Sequence, residues 1–159
     1  MDYAQTLTRA KTFLQQKHHA QAVQTAGSAL ENLLVDLYNE LLGQSQAARQ
    51  KQLIEAQEKV SGGQPLHKLT LGRLLGVYRV SKAHEDLYKT LGLELTYLNV
   101  GALGPLVDIR NRAVHEGYEP DPAEATYVVH QVELILRETG RLPAASQSPI
   151  SNIQYLAPW

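Results

Sequence analysis

From Tyr3 to Gln15 the apolar residues Ala4, Leu7, Ala10 and Leu14 recur every three or four positions, the period of a helix with one buried face. The pattern resets around Lys17, His18 and His19. Val23, Ala26, Leu30, Leu33, Leu34, Leu37 and Leu41 then form one continuous stripe, which predicts a long second helix ending near Gly43. Gln44 to Lys59 has good helix formers but few apolar ones, so it reads as a solvated helix or an excursion. Ser61-Gly62-Gly63-Gln64-Pro65 breaks the chain, because two glycines and a proline do not continue a helix.

Leu69, Leu71, Leu74, Leu75 and Val77 predict a third packed helix. A polar stretch through Ser81 and His84 follows, then a further apolar set at Leu87, Leu91, Leu95 and Leu98. Gly101 and Gly104 interrupt that run. Proline is tolerated in a first helical turn, so Pro105 opens a helix that carries Leu106, Ile109, Arg110 and Ala113 and stops near Gly117. Asp121-Pro122-Ala123-Glu124 combines an N-cap carboxylate, a proline at the first helical position and a glutamate placed for a capping box. The helix it starts bears Ala125, Val128, Val129, Val132, Ile135 and Leu136 on one face up to Gly140. Residues 143–159 read as an irregular C-terminal tail whose Ile150, Ile153, Tyr155, Leu156 and Trp159 could dock on a neighbour.

No segment alternates like a half-buried strand, and no repeat occurs at solenoid spacing. The expected fold is all-α, an antiparallel helical bundle forming a single domain over residues 1–142. With 43% hydrophobic and 19% charged residues, the 159-residue chain can bury enough apolar surface to offset the entropy lost on folding.

Charge and composition narrow the function classes. Fifteen Lys and Arg against sixteen Asp and Glu give a net charge of −1, so any nucleic-acid site must be local. Cysteine is absent, which removes disulfides, thiolate metal sites and a cysteine nucleophile. Met1-Asp2-Tyr3 lacks the basic start and apolar run of a signal peptide, and no apolar stretch approaches the length of a membrane span, so a cytoplasmic location without membrane partners is expected. Paired Glu-x-x-His ligand sets are missing. His18 and His19 point to different sides of a helix, His130 and Glu133 form a single reversed pair, and all three histidines read as solvated residues rather than metal ligands. Phosphate-loop, dinucleotide and nucleophile-elbow motifs do not occur, and no cofactor is expected.

Chemistry gathers at Ile109-Arg110-Asn111-Arg112-Ala113-Val114-His115-Glu116-Gly117-Tyr118, where cations, an amide and an imidazole close an otherwise apolar helix. Together with the helices around it, this stretch resembles the HEPN superfamily, whose motif is an arginine and a histidine separated by four to six residues, often with a polar residue after the arginine. Arg110, Asn111 and His115 match it. The resemblance extends over Tyr3 to Leu142 through Ala29-Leu30-Glu31 in the second helix, Leu71-Gly72 at the start of a later one, and the capped helix after Asp121.

Helical geometry constrains how such a pair works: five residues rotate about 500°, leaving Arg110 and His115 about 140° apart on a continuous helix. Asn111 and His115 do share a face, so Asn111 could hydrogen-bond the imidazole and set its tautomer. For Arg110 and His115 to act together, the helix must fray near His115 or a second chain must meet it. The resemblance implies the latter, a homodimer whose two motifs face each other across a two-fold axis.

It also implies metal-independent cleavage of RNA in a toxin or defence role, with an antitoxin or other protein as a partner. In that chemistry His115 takes the proton of a ribose 2′-hydroxyl as it attacks the adjacent phosphate, and Arg110 holds the non-bridging oxygens as charge develops. Arg112 is a candidate for positioning phosphate or is simply solvated. Glu31 is a candidate supporting residue or the carboxylate that balances Arg110. A toxin subgroup carries a tyrosine two residues after the histidine; Tyr118 follows His115 by three, so regulation through that tyrosine is not carried over. The alternative is a non-catalytic interaction module, with Arg110 capping a helix end or paired with Asp108 or Glu116, and the Gln-rich segment Gln44 to Gln57 available to a partner.

Overall fold

The computed structural model describes residues 1–143; residues 144–159, which carry the apolar tail positions, lie outside the described residues. Among the described residues the chain forms seven α-helices and no strand. Helix α1 (Tyr3–Gln15) starts where the Asp2 carboxylate accepts a hydrogen bond from the Gln5 backbone N–H at 3.0 Å. A tight turn through Lys17, at φ 61°, sends α2 (His19–Gln44) back along α1.

Helix α2 is the element on which the others assemble, since it touches every other helix of the bundle. Leu30, Leu33, Leu34, Leu37 and Leu41 are completely buried on it. Each such leucine contributes about 1.5–3 kcal/mol relative to an exposed one. Two tyrosines complete the centre: the Tyr38 hydroxyl donates to the Leu53 carbonyl at 2.6 Å and the Tyr78 hydroxyl to the Leu34 carbonyl, while their rings meet edge to face at 5.4 Å. One contiguous apolar cluster draws on all seven helices.

The sparse segment after Gly43 is a helix, α3 (Ala47–Ser61), that buries Leu53 and Ala56, leaves Ile54 exposed and ends at Gly62 in the left-handed conformation. It packs on α4 (Leu71–Ser81), which Thr70 caps. Arg49 of α3 ties the next corner by donating to Asp86 (2.6 Å) and to the Ser81 carbonyl (2.7 Å). There the chain turns through Lys82, at φ 57°, into the short α5 (Ala83–Lys89).

The apolar set Leu87, Leu91, Leu95 and Leu98 does not lie on one helix. Helix α5 stops at Lys89, Gly92 takes φ 70°, and residues 93–99 run without regular structure. The Glu138 carboxylate accepts from the backbone N–H groups of Thr96, Tyr97 and Leu98 at 2.6–2.9 Å, satisfying donors that a helix would have used. A 3-10 turn at Val100–Ala102 leads to α6 (Gly104–His115), with Pro105 in its first turn. Helix α7 (Pro122–Glu138) opens with the capping box expected of Asp121 and Glu124. No helix among the described residues is long and apolar enough to cross a membrane.

Candidate functional site

Helix α6 buries Leu106, Ile109 and Ala113, which fixes the direction of its remaining side chains. Arg110 turns toward α2 and lies across Gly27. A Cβ built at Gly27 would stand 2.9 Å from Arg110 Nε and 3.0 Å from its Cδ and Cγ, so this seat exists only because the residue is glycine. Glu31, four positions further along the same face of α2, accepts from Arg110 Nη2 at 2.7 Å. Only 12% of the arginine side chain and 19% of the glutamate remain exposed, and Arg110 Nε is buried without a hydrogen-bond partner. The arginine's partner is therefore Glu31 on another helix, not Asp108 or Glu116.

Burial pushes the Glu31 carboxyl above its ordinary range, while the Arg110 guanidinium and a backbone hydrogen bond at Leu71 pull it down. The carboxylate thus ties α2 to α6.

His115 is the last residue of α6 and is exposed. The helix does not fray before it: the Glu116 N–H still donates to the Arg112 carbonyl at 3.1 Å, and the chain turns only at Gly117, at φ 64°. Within one chain Arg110 and His115 consequently diverge by about 140°. Among the described residues no hydrogen bond links Asn111 to His115, although both lie on the same side of the helix.

Arg112 belongs to a separate cluster. Its Nη2 donates to Glu124 Oε2 at 3.1 Å, and its guanidinium carbon lies 4.7 Å from the centre of the Tyr118 ring. The Tyr118 hydroxyl donates to Glu124 Oε1, which lowers the Glu124 carboxyl below its ordinary range and raises the tyrosine above its own. The same Oε1 accepts from the Asp121 backbone N–H at 3.2 Å. One glutamate thus closes the α6–α7 connection and holds the arginine read as either phosphate-positioning or solvated.

Sequence reasoning missed the other anchors of this corner. Glu119 Oε1 accepts from the backbone N–H groups of His19 (3.1 Å) and Ala20 (3.2 Å), capping α2 where His18 supplies no side-chain cap. Gln24 Nε2 donates to the Ala113 carbonyl at 3.0 Å. Only Gly27 had a local signal, because a glycine kept inside a helix costs about 1 kcal/mol against alanine and so points to a close contact.

His18 and His19, adjacent in the chain, have different surroundings. His18 meets Phe13 edge-on at 6.3 Å, His19 Nδ1 lies 4.0 Å from Glu119 Oε1, and Glu133 is buried between Lys11 and Arg137, each at 2.8 Å. Among the described residues no three His, Asp or Glu side chains gather as metal ligands would. Compared with family models, curated proteins and solved structures, the chain matches none, so its functional reading rests on the chemistry of its residues.

Proposed function

We propose that this chain is a HEPN-type helical domain and a metal-independent endoribonuclease with a toxin or defence role, acting in a cleft shared by two copies. The observation that carries the proposal is the arrangement on α6: an arginine seated on Gly27 and oriented by Glu31, followed on the same unbroken helix by an exposed terminal histidine. One chain cannot turn Arg110 and His115 toward the same phosphate. A second copy related by a two-fold axis supplies the missing partner, because each histidine can then face the other chain's arginine.

The chemistry follows from the residue types. A neutral His115 accepts the 2′-hydroxyl proton, the resulting alkoxide attacks phosphorus, and the 5′-oxygen leaves with a proton from the second His115 or from water. Products are a 2′,3′-cyclic phosphate and a 5′-hydroxyl. The Glu31 contact fixes the plane of the Arg110 fork while leaving other N–H groups for non-bridging oxygens.

The alternative, a non-catalytic interaction or adaptor module, draws on how deeply Arg110 is engaged and on the exposed Val114 and Tyr127. Mixed RNA incubated in excess chelator with the wild type and with His115→Ala separates the two. Cleavage by wild type alone, leaving cyclic phosphate ends, supports the nuclease; intact RNA in both, with a protein partner that still binds the His115→Ala variant, supports the module.

A further inference from the structure

A cavity of about 720 Å³ opens where α4, α5 and the irregular segment 93–99 meet. It lies beyond the N-terminal end of α6, so the length of that helix, about 18 Å, separates it from His115. Its size suits a ligand larger than a single amino acid.

The two walls carry opposite charge. On one, Arg79 reaches in from the last turn of α4, beside His84 and Tyr88, which lie four apart on one face of α5. On the other, Leu93, Leu95 and Leu98 form an apolar surface that the exposed Glu94 interrupts with a carboxylate. Among the described residues no side-chain hydrogen bond or ion pair engages Arg79, His84, Tyr88 or Glu94, so the cation and the carboxylate do not satisfy each other.

Both walls are held in advance. Glu138 takes the three consecutive backbone N–H groups of residues 96–98, and Gln131 Nε2 donates to the Tyr97 carbonyl at 3.4 Å. On the other side Arg49 braces the α4–α5 corner. Anchored backbone thus frames a cavity with a cation, a carboxylate and apolar surface between them.

We propose that this cavity binds a short apolar peptide, two or three residues long and free at both ends. Each group answers one part of it: the Arg79 fork, with the His84 ring beside it, the terminal carboxylate; Glu94 the terminal ammonium; Tyr88 and the leucines the side chains. An extended chain advances roughly 3.3–3.6 Å per residue, so two or three residues carry their terminal charges far enough apart to serve both walls. A single amino acid holds its two charges too close together to do so. A fatty acid would press its chain against an unanswered Glu94, and a diamine would leave Arg79 without an anion. The inference does not rest on the ribonuclease reading.

The test is calorimetric titration of the wild-type protein with leucyl-phenylalanine, its N-acetyl form, its C-terminal amide and diglycine, alongside NMR of the 93–99 amides. Expected is saturable binding of leucyl-phenylalanine that perturbs those amides and weakens about tenfold when either end is blocked, with diglycine weaker still. Arg79→Ala should lower the affinity for the free peptide to that for the amide, and leave the amide unchanged. Glu94→Gln should do the same with respect to the N-acetyl form. Both side chains are exposed, and Arg79→Gln and Glu94→Ala provide a second pair should either variant lose its helical signal. No saturable binding of leucyl-phenylalanine overturns the proposal. So does equal affinity for the blocked peptides or for diglycine, and so do variants that weaken free and blocked peptides alike or not at all. Because no RNA is present, failure here leaves the nuclease reading intact, and a wild type that fails to cut RNA leaves peptide binding intact.

Discussion

The two ends of α6 face opposite kinds of surroundings. At its C-terminal end four charged or polar side chains are committed: Arg110 to Glu31, Arg112 and Tyr118 to Glu124, Glu119 to the start of α2. Beyond its N-terminal end, Arg79, His84 and Tyr88 line an open cavity and are committed to nothing among the described residues. The first region uses charge to hold helices in place and leaves His115 exposed at the helix end. The second uses backbone anchors, Glu138 above all. Removing a side chain should thus cost more stability at the first than at the second.

The largest effect is expected from Glu31→Ala, which strands a mostly buried guanidinium. A loss of about 2–4 kcal/mol by denaturant unfolding is expected, below the full cost of a completely buried pair because both side chains keep some exposure. Adding Arg110→Ala should return more than half of that loss; a double variant no more stable than the single one would mean that the pair is not coupled.

Glu138→Ala comes next. It frees three backbone donors, and a loss of about 1–2 kcal/mol is expected together with faster amide exchange at residues 96–98 than in α2. Unchanged exchange there would show that the cavity wall does not depend on Glu138.

Gly27→Ala gives a smaller effect with an informative sign. In the wild type the added methyl group meets the anchored middle of the Arg110 side chain, so a loss of about 1 kcal/mol is expected. In an Arg110→Ala background the same change should stabilise by up to about 1 kcal/mol, because only the helix preference for alanine remains. Arg79→Ala and Tyr88→Ala should change stability least, within about 0.5 kcal/mol.

What the sequence made legible was what the chain decides locally. The capping box at Asp121 and Glu124, the opening of α6 at Pro105 and the break at Gly62 depend on neighbours a few positions away. So does the stripe on α2, whose period survives because one helix is surrounded by the others. The candidate site was legible in its members more than in their packing. Arg110, Asn111 and His115 could be picked out by type and spacing, and the rotation of a helix was enough to separate Arg110 from His115.

Of the partners, Glu31 was named as the carboxylate that could balance Arg110, and the two do pair; the seat on Gly27 was not read, because it arises from the packing of α2 on α6. Nothing near Arg112 singled out Glu124 over other carboxylates. The path after Lys89 was not legible for a related reason: its leucines keep a helical spacing, but Gly92 and the capture of residues 96–98 by Glu138 hold them in an irregular path.

The central claim, an active cleft that needs two copies, is tested most directly by mixing two inactive variants. Arg110→Ala and His115→Ala, each confirmed as helical by circular dichroism, are unfolded together, refolded at equal concentrations and assayed on RNA in excess chelator beside each variant alone. Shared clefts predict that the mixture regains a substantial fraction of wild-type cleavage, since a mixed dimer keeps one intact arginine and one intact histidine in the same cleft. A mixture as inactive as its components, beside an active wild type, would contradict that account.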